Sequence, residues 1–336
     1  MKTDHQLNDQ KTINCVAIGG GTGLATLLSG LKKHVAGAIS QKTIIRHLSA
    51  IVAVSDDGGS SGRLRDELQM PPPGDIRNCM VALSEDSNLL SRLFRYRFSS
   101  DGQLSGHNFG NLFLAALSEI TGDFAEAVKL SSEILASKGH IYPATMSDVR
   151  IAAELIDGSV VRGETNIGKV GNLIQKLYLE PENCSPLPDA LEAIKNADLI
   201  TVGPGSLFTS LLPPLLVNGV PEAIEASTAR KVFICNLMTQ PGETDGLTAR
   251  RHLEIVREYA ANLNFDYIVI NNRPISEKQA DLYKLDGAEQ IGVHGSISVE
   301  TIEGAEIVSA DLLHAGDKVR HDPERLARTV LRCAVL

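Results

Sequence analysis

Residues 13–33 read INCVAIGGGTGLATLLSGLKK. Six residues rich in apolar and β-branched types (Ile13–Ile18) run into a glycine cluster, and Leu24, Leu27, Leu28 and Leu31 then recur at helical spacing. This is a buried strand, a glycine turn and a helix. Glycines at such a turn let the backbone approach an anion, and the helix start adds N–H groups and partial positive charge. Gly20, Gly21, Thr22 and Gly23 are therefore candidate ligand contacts. The dinucleotide fingerprint is imperfect: counted from Gly21 and Gly23 its third small position is Thr26, and counted from Gly19 and Gly21 it is Leu24. No Lys-Ser/Thr follows, so the stretch is not a P-loop. A merely tight turn remains the bland alternative.

Working outward, the same pattern recurs. LSAIVAV (Leu48–Val54), ADLITVG (Ala197–Gly203), KVFICNL (Lys231–Leu237) and FDYIVIN (Phe265–Asn271) are further buried strands, each followed by a polar or glycine-rich turn and a helical pattern. Alternation of this kind predicts an α/β fold, Rossmann-like, with a mostly parallel sheet and helices on both faces. The spacing predicts a helical insert over about 75–138. In it Asp75 is suited to cap the first helix after the prolines of PPPGDIRNC (Pro71–Cys79). Over about 141–180 the Asp-Gly of RIAAELIDGSVVRGE predicts a small antiparallel addition. Residues 1–11 read as a flexible tail, 12–336 as a single domain, and DPERLARTVLRC as a last helix.

Composition narrows the function. The chain has 336 residues, 43% hydrophobic and 22% charged, with a formal net charge of -9, no Trp and 4% aromatics. A sizeable core follows, and nucleic acid is an unsuitable partner because neutralising phosphates needs a basic surface. The five cysteines are scattered without a CxxC, as in a protein kept reduced in the cytoplasm. No apolar run is long enough to span a bilayer, and residues 1–11 lack the apolar region of a signal peptide.

Five more stretches carry polar groups suited to a ligand. In VSDDGGSSGRLR (Val54–Arg65), Asp56 and Asp57 sit where parallel strands end and ligands bind, suited to a ribose hydroxyl or a hydrated Mg2+. Ser60, Ser61 and Arg63 are suited to phosphate oxygens. After Asp75, Arg77 and Asn78 lie in the first turn of a helix. In SGHNFGNLF (Ser105–Phe113), His107 and Asn108 precede a helix and Asn111 falls in its first turn. VGPGSLFTS (Val202–Ser210) repeats the anion logic: Gly203, Gly205 and Ser206 offer free N–H groups and a hydroxyl, with Thr209 one turn further on. CNLMTQPGETDG adds Asn236, and VRHDPE adds Arg320 beside His321. Two glycine turns in one sheet can flank a diphosphate. No GxSxG elbow, HExxH or zinc spacing is present.

Taken together, AIGGGTGLATLLSGLK, VAVSDDGGSSGRLR, PPPGDIRNC, GHNFGNLFLAAL, VGPGSLFTSLLP, NLMTQPGETDG and VRHD resemble the bacterial gluconeogenesis-factor family, within the superfamily of 2-phospho-L-lactate transferases. The resemblance implies a Rossmann-like cytoplasmic protein that binds UDP-sugars such as UDP-N-acetylglucosamine. It also implies a role in cell shape and cell-wall synthesis during gluconeogenic growth. By motif, Gly20–Gly23, Asp56, Asp57, Asn78, Asn108, Gly205 and Ser206 would line the crevice, and by position Tyr283 and Arg320 would join them. Binding would need no cofactor. A cell-wall or regulatory protein partner and self-association are compatible with such a role; membrane insertion is not expected. The alternative is a transferase of phospholactate, an enzyme of deazaflavin-coenzyme synthesis that would hold Mg2+ on Asp56 and Asp57. The stretches DDGGSSGRLR and PPPGDIRN follow the gluconeogenesis-factor pattern instead.

Overall fold

In the computed structural model, residues 11–35, 43–85, 89–99, 101–170, 174–292 and 301–336 are described; residues 1–10 of the expected tail lie outside them, and Lys11 already belongs to the first strand. The strands are β1 (Lys11–Gly19), β2 (Thr43–Val52), β3 (His140–Pro143), β4 (Arg150–Leu155), β5 (Val160–Arg162), β6 (Ile174–Glu180), β7 (Leu199–Val202), β8 (Arg230–Ile234), β9 (Tyr267–Asn271), β10 (Thr301–Ile302) and β11 (Ala305–Ala310). The helices are α1 (Gly21–Leu31), α2 (Gly59–Leu68), α3 (Gly74–Leu83), α4 (Leu89–Arg95), α5 (Phe109–Thr121), α6 (Phe124–Ile134), α7 (Glu164–Ile167), α8 (Pro188–Lys195), α9 (Leu212–Leu215), α10 (Val220–Ala226), α11 (Ala249–Tyr259), α12 (Glu277–Leu285) and α13 (Pro323–Cys333).

The main sheet has the order β10-β11-β9-β8-β7-β1-β2-β3, and every pairing except β10 with β11 is parallel. Burial on both faces explains why β7, β9 and the second half of β1 read as mainly apolar runs. Successive connections leave β1 in both directions, toward β2 and β3 on one side and β7 to β9 on the other. The gap between β1 and β7 is thus the point where strand order reverses, where open parallel sheets bind ligands at their carboxyl ends. Leu24, Leu27, Leu28 and Leu31 turn inward as their spacing requires.

Three boundaries differ from the sequence reading. β2 begins five residues before the expected Leu48, because backbone pairing with β1 extends the strand through the exposed Arg46 and His47, which interrupt the apolar run. His140–Pro143 belongs to the main sheet, as a parallel edge strand on β2. The antiparallel addition is the separate sheet β5-β4-β6. Its β4–β5 hairpin turns through Gly158 at φ +81°. The hairpin β10–β11 was not anticipated. Its turn, Glu303-Gly304, has φ of 49° and 81°, the two positive values of a tight hairpin turn.

All five cysteines are buried and free. Among the described residues no single helix is long and apolar enough to cross a membrane.

Candidate functional site

The turns after β1 and β7 press against each other. Gly21 has φ +64°, a left-handed conformation that favours glycine. A Cβ on Gly23 would lie 2.3 Å from the Pro204 carbonyl oxygen, so only glycine permits the approach. Between the two turns opens a cleft of about 390 Å3. Nine of the expected residues line it: Gly20, Gly21, Thr22, Gly23, Gly205, Ser206, Asn236, Tyr283 and Arg320. The wall is completed by residues including Thr26, Ser210, Thr239, Gln240, Asp286 and His321. Of these, Thr26, Ser210 and Asp286 carry no local sequence signal.

The expectation of free N–H groups needs correcting. The Gly203 N–H donates to Ile18 O at 3.0 Å and prolongs the β1–β7 ladder. The Gly205 N–H donates to Asn236 Oδ1 at 3.1 Å, and Asn236 Nδ2 returns a bond to Gly205 O at 2.7 Å. Glu243 Oε1 accepts from Phe208 N at 3.0 Å, and Gln240 Nε2 donates to Ser206 Oγ at 2.7 Å. The second turn is thus held by side chains from the loop after β8, and its rigidity comes from there. At the first turn, the Gly21 N–H donates to Asp75 Oδ2 at 2.7 Å. The open donors of α1 are the N–H groups of Thr22 and Gly23, which as first-turn residues have no intrahelical partner and none among the described residues.

Asp75 is accordingly not the cap of α3. Pro73 occupies that position, and the Asp75 carboxylate turns away to tie α3 to the glycine turn. Burial and the neighbouring Asp56 raise its pKa to about 6, while bonds from Gly21 and Asn78 hold it down.

At the rim, Tyr283 Oη accepts from Val319 N at 3.0 Å, which fixes the ring as a wall. The Arg320 guanidinium is exposed and has no partner among the described residues. His321 beside it is buried, which pushes its pKa down to about 4 and keeps the imidazole neutral at pH 7. Arg320 is therefore the cation that the wall offers to an anion.

The other expected residues form two further groups. Asp56, Asp57, Asp75 and Thr209 gather around Glu164, which the antiparallel addition brings over the strand ends. Burial and the charges of Asp56, Asp75 and Asp57 raise Glu164 to about 8, against a bond with Thr209. Glu164 went unnoticed in the sequence because only tertiary packing brings it here. Asp56 and Asp57 each turn one carboxylate oxygen to a different donor. Asp56 Oδ1 accepts from Gly58 N at 2.8 Å, whereas Asp57 Oδ1 accepts from Thr165 N at 3.1 Å and Thr165 Oγ1 at 3.0 Å. Among the described residues no group of three or more His, Cys, Asp or Glu is placed to hold a metal ion. Each carboxylate keeps one oxygen outside these hydrogen bonds, and Mg2+ is commonly held by one or two carboxylates with water completing its shell.

The last group is a buried hydrogen-bond network. Ser60 Oγ lies 3.2 Å from both His107 Nδ1 and Asn111 Nδ2, and Arg77 Nε donates to Asn111 Oδ1 at 3.1 Å. Asn108 caps α5 by accepting from Gly110 N and Asn111 N. Ser61 is buried beside Gly74. Arg63 does not reach the cleft: its Nη2 donates to Ser105 O at 2.8 Å. Arg65 is fully buried and anchors α2 to Asp148 and the Val149 carbonyl.

A family model described as 2-phospho-L-lactate transferase CofD matches residues 15–313, a span that holds the glycine turns and the acid cluster. The chain belongs to the CofD family. Within it, similar proteins are named gluconeogenesis factors. One from Aquifex aeolicus, named a putative gluconeogenesis factor, is 46% identical over 96% of this chain and 97% of its own length. The gluconeogenesis factors of Halalkalibacterium halodurans and Bacillus subtilis are 44% and 42% identical, over 96% and 92% of this chain and 96% and 94% of their own lengths. A crystal structure of a Bacillus halodurans protein superposes with a TM-score of 0.87 at 44% identity, covering 96% of this chain and all of that one. This CofD-family chain thus sits on the gluconeogenesis-factor side, as its motifs predict.

Proposed function

We propose that this CofD-family protein is a cytoplasmic regulator that binds UDP-N-acetylglucosamine or a closely related UDP-sugar, and relays its level to cell shape and cell-wall synthesis during growth on gluconeogenic carbon. The supporting observation is the single hollow shared by Gly21 and Gly205 at the point where strand order reverses. Its volume suits a nucleotide-sized ligand. The Thr22 and Gly23 N–H groups and Arg320 meet the diphosphate, and Tyr283 gives a flat surface for the base. Relay to a partner protein requires that the ligand favour one conformer over another.

Titration calorimetry with UDP-N-acetylglucosamine tests the reading. Saturable heat is expected, with thermal stabilisation equivalent to about 2.7 kcal/mol when ligand reaches roughly one hundred times its Kd. Replacing Arg320 by Ala is expected to weaken binding about 10- to 100-fold, the worth of a charge-assisted phosphate contact, with little change in the ligand-free melting temperature because the side chain is exposed. Neither heat nor stabilisation at millimolar ligand would defeat the proposal.

A further inference from the structure

Arg63 on α2, Arg77 on α3 and Arg97 just after α4 come from three elements to one loop. Arg63 Nη2 donates to Ser105 O at 2.8 Å and Arg97 Nη1 to Gly106 O at 2.6 Å, two consecutive carbonyls. His107, the next residue, turns its Nδ1 to Ser60. Arg77 has its Nε on Asn111 and no partner for its two terminal nitrogens among the described residues. Arg97 acts on Arg77, and Arg63 on His107. Burial and then Arg97 push Arg77 down to about 10, while Asp75 and Asp56 pull the other way. Burial and then Arg63 push His107 down, against Glu67.

None of these three arginines has an ion pair among the described residues. In the same chain, of net charge -9, Arg65, Arg150, Arg162, Arg230 and Arg250 each take a carboxylate. Clustered cations without an ion-paired carboxylate cost free energy, which an incoming anion would relieve. A phosphoryl group fits better than a carboxylate. It brings close to two negative charges and three acceptor oxygens, matched to several guanidinium forks.

We propose that Arg63, Arg77, Arg97 and His107 form an anion site for the phosphoryl group of a small phosphorylated metabolite, separate from the cleft between the glycine turns. None of the four residues lines that cleft. The assignment does not depend on the nucleotide-sugar reading, and the protein would then sense two ligands.

The test titrates the full-length protein with inorganic phosphate at low ionic strength, followed by calorimetry. One saturable site is expected. The double variant Arg63→Gln/Arg97→Gln should weaken it by about tenfold or more. Both side chains are exposed, so an unchanged melting temperature confirms an intact fold. Arg320→Ala should leave phosphate affinity within roughly twofold, because the two sites share no lining residue. The proposal is overturned by no saturable binding up to about 50 mM, by unchanged affinity in the double variant, or by loss of phosphate binding in Arg320→Ala, which would place the anion in the cleft.

Discussion

Gly23→Ala is expected to abolish binding in the cleft and to lower stability by about 2–4 kcal/mol. The added methyl meets the Pro204 carbonyl oxygen at 2.3 Å, its carbon at 2.7 Å and the Gly205 Cα at 3.1 Å. These are backbone atoms, so no rotamer change relieves the clash. One glycine turn must move from the other, and both are clamped. β1 and β7 are paired up to Ile18 and Val202, and Asn236 holds Gly205 through two hydrogen bonds. Overpacking at such a contact costs about 1–3 kcal/mol in an adaptable core and more where backbone is the obstacle. Chemical denaturation measures the stability loss, and calorimetry with UDP-N-acetylglucosamine measures the binding. Thr26→Ala, one turn along the same wall, should keep the fold. Near-native stability and affinity in Gly23→Ala would mean that the two turns are not in contact.

Glu164→Gln is expected to stabilise the protein at pH 8.5 and to do progressively less as the pH falls toward 5. Folded Glu164 keeps its proton up to about pH 8, whereas an ordinary glutamate releases it near 4.5. Between these values the folded chain binds more protons than the unfolded chain. Wild-type stability therefore declines as pH rises through that window and the penalty is complete above 8. Each pH unit of the gap is worth about 1.4 kcal/mol, and partial exposure of the side chain reduces the total to roughly 2–3 kcal/mol. Asp56, Asp75 and Asp57 face Glu164 and supply the repulsion, and Thr209 supplies the opposing hydrogen bond. Asp75, raised to about 6, adds a decline of the same sign between about 4 and 6. His321 is lowered to about 4 and contributes the opposite slope in the acid range. The useful quantity is the difference between variant and wild-type melting curves across pH, which isolates Glu164. A difference that does not vary with pH would show that Glu164 is not held protonated by burial and its neighbours.

The acid cluster also shows where sequence reading stops. Asp56 and Asp57 were legible as a pair at a strand end. Their side chains nonetheless go to different partners, because Thr165 comes from an addition more than one hundred residues away. Asp75 was legible as an acid at a helix start, and local rules assign such a residue to capping. A stronger claim comes from the glycine turn after β1, whose Gly21 N–H takes the Asp75 carboxylate. His107, Asn108 and Asn111 were found by composition, yet they work chiefly to bond Ser60, Arg77 and the start of α5.

By itself the sequence determined the alternation of buried strands and helices, the parallel sheet and the glycine turns at β1 and β7. Each of these follows from local periodicity and from backbone conformations that only glycine adopts readily. The tertiary structure alone decided which strands are neighbours, and hence that two turns more than 180 residues apart enclose one cleft. It also decided which N–H groups are already satisfied, where Glu164 lies and which arginines lack an ion-paired carboxylate. Those properties depend on distances between segments remote in the chain, and side-chain hydrogen bonds and charges act only across such distances in space.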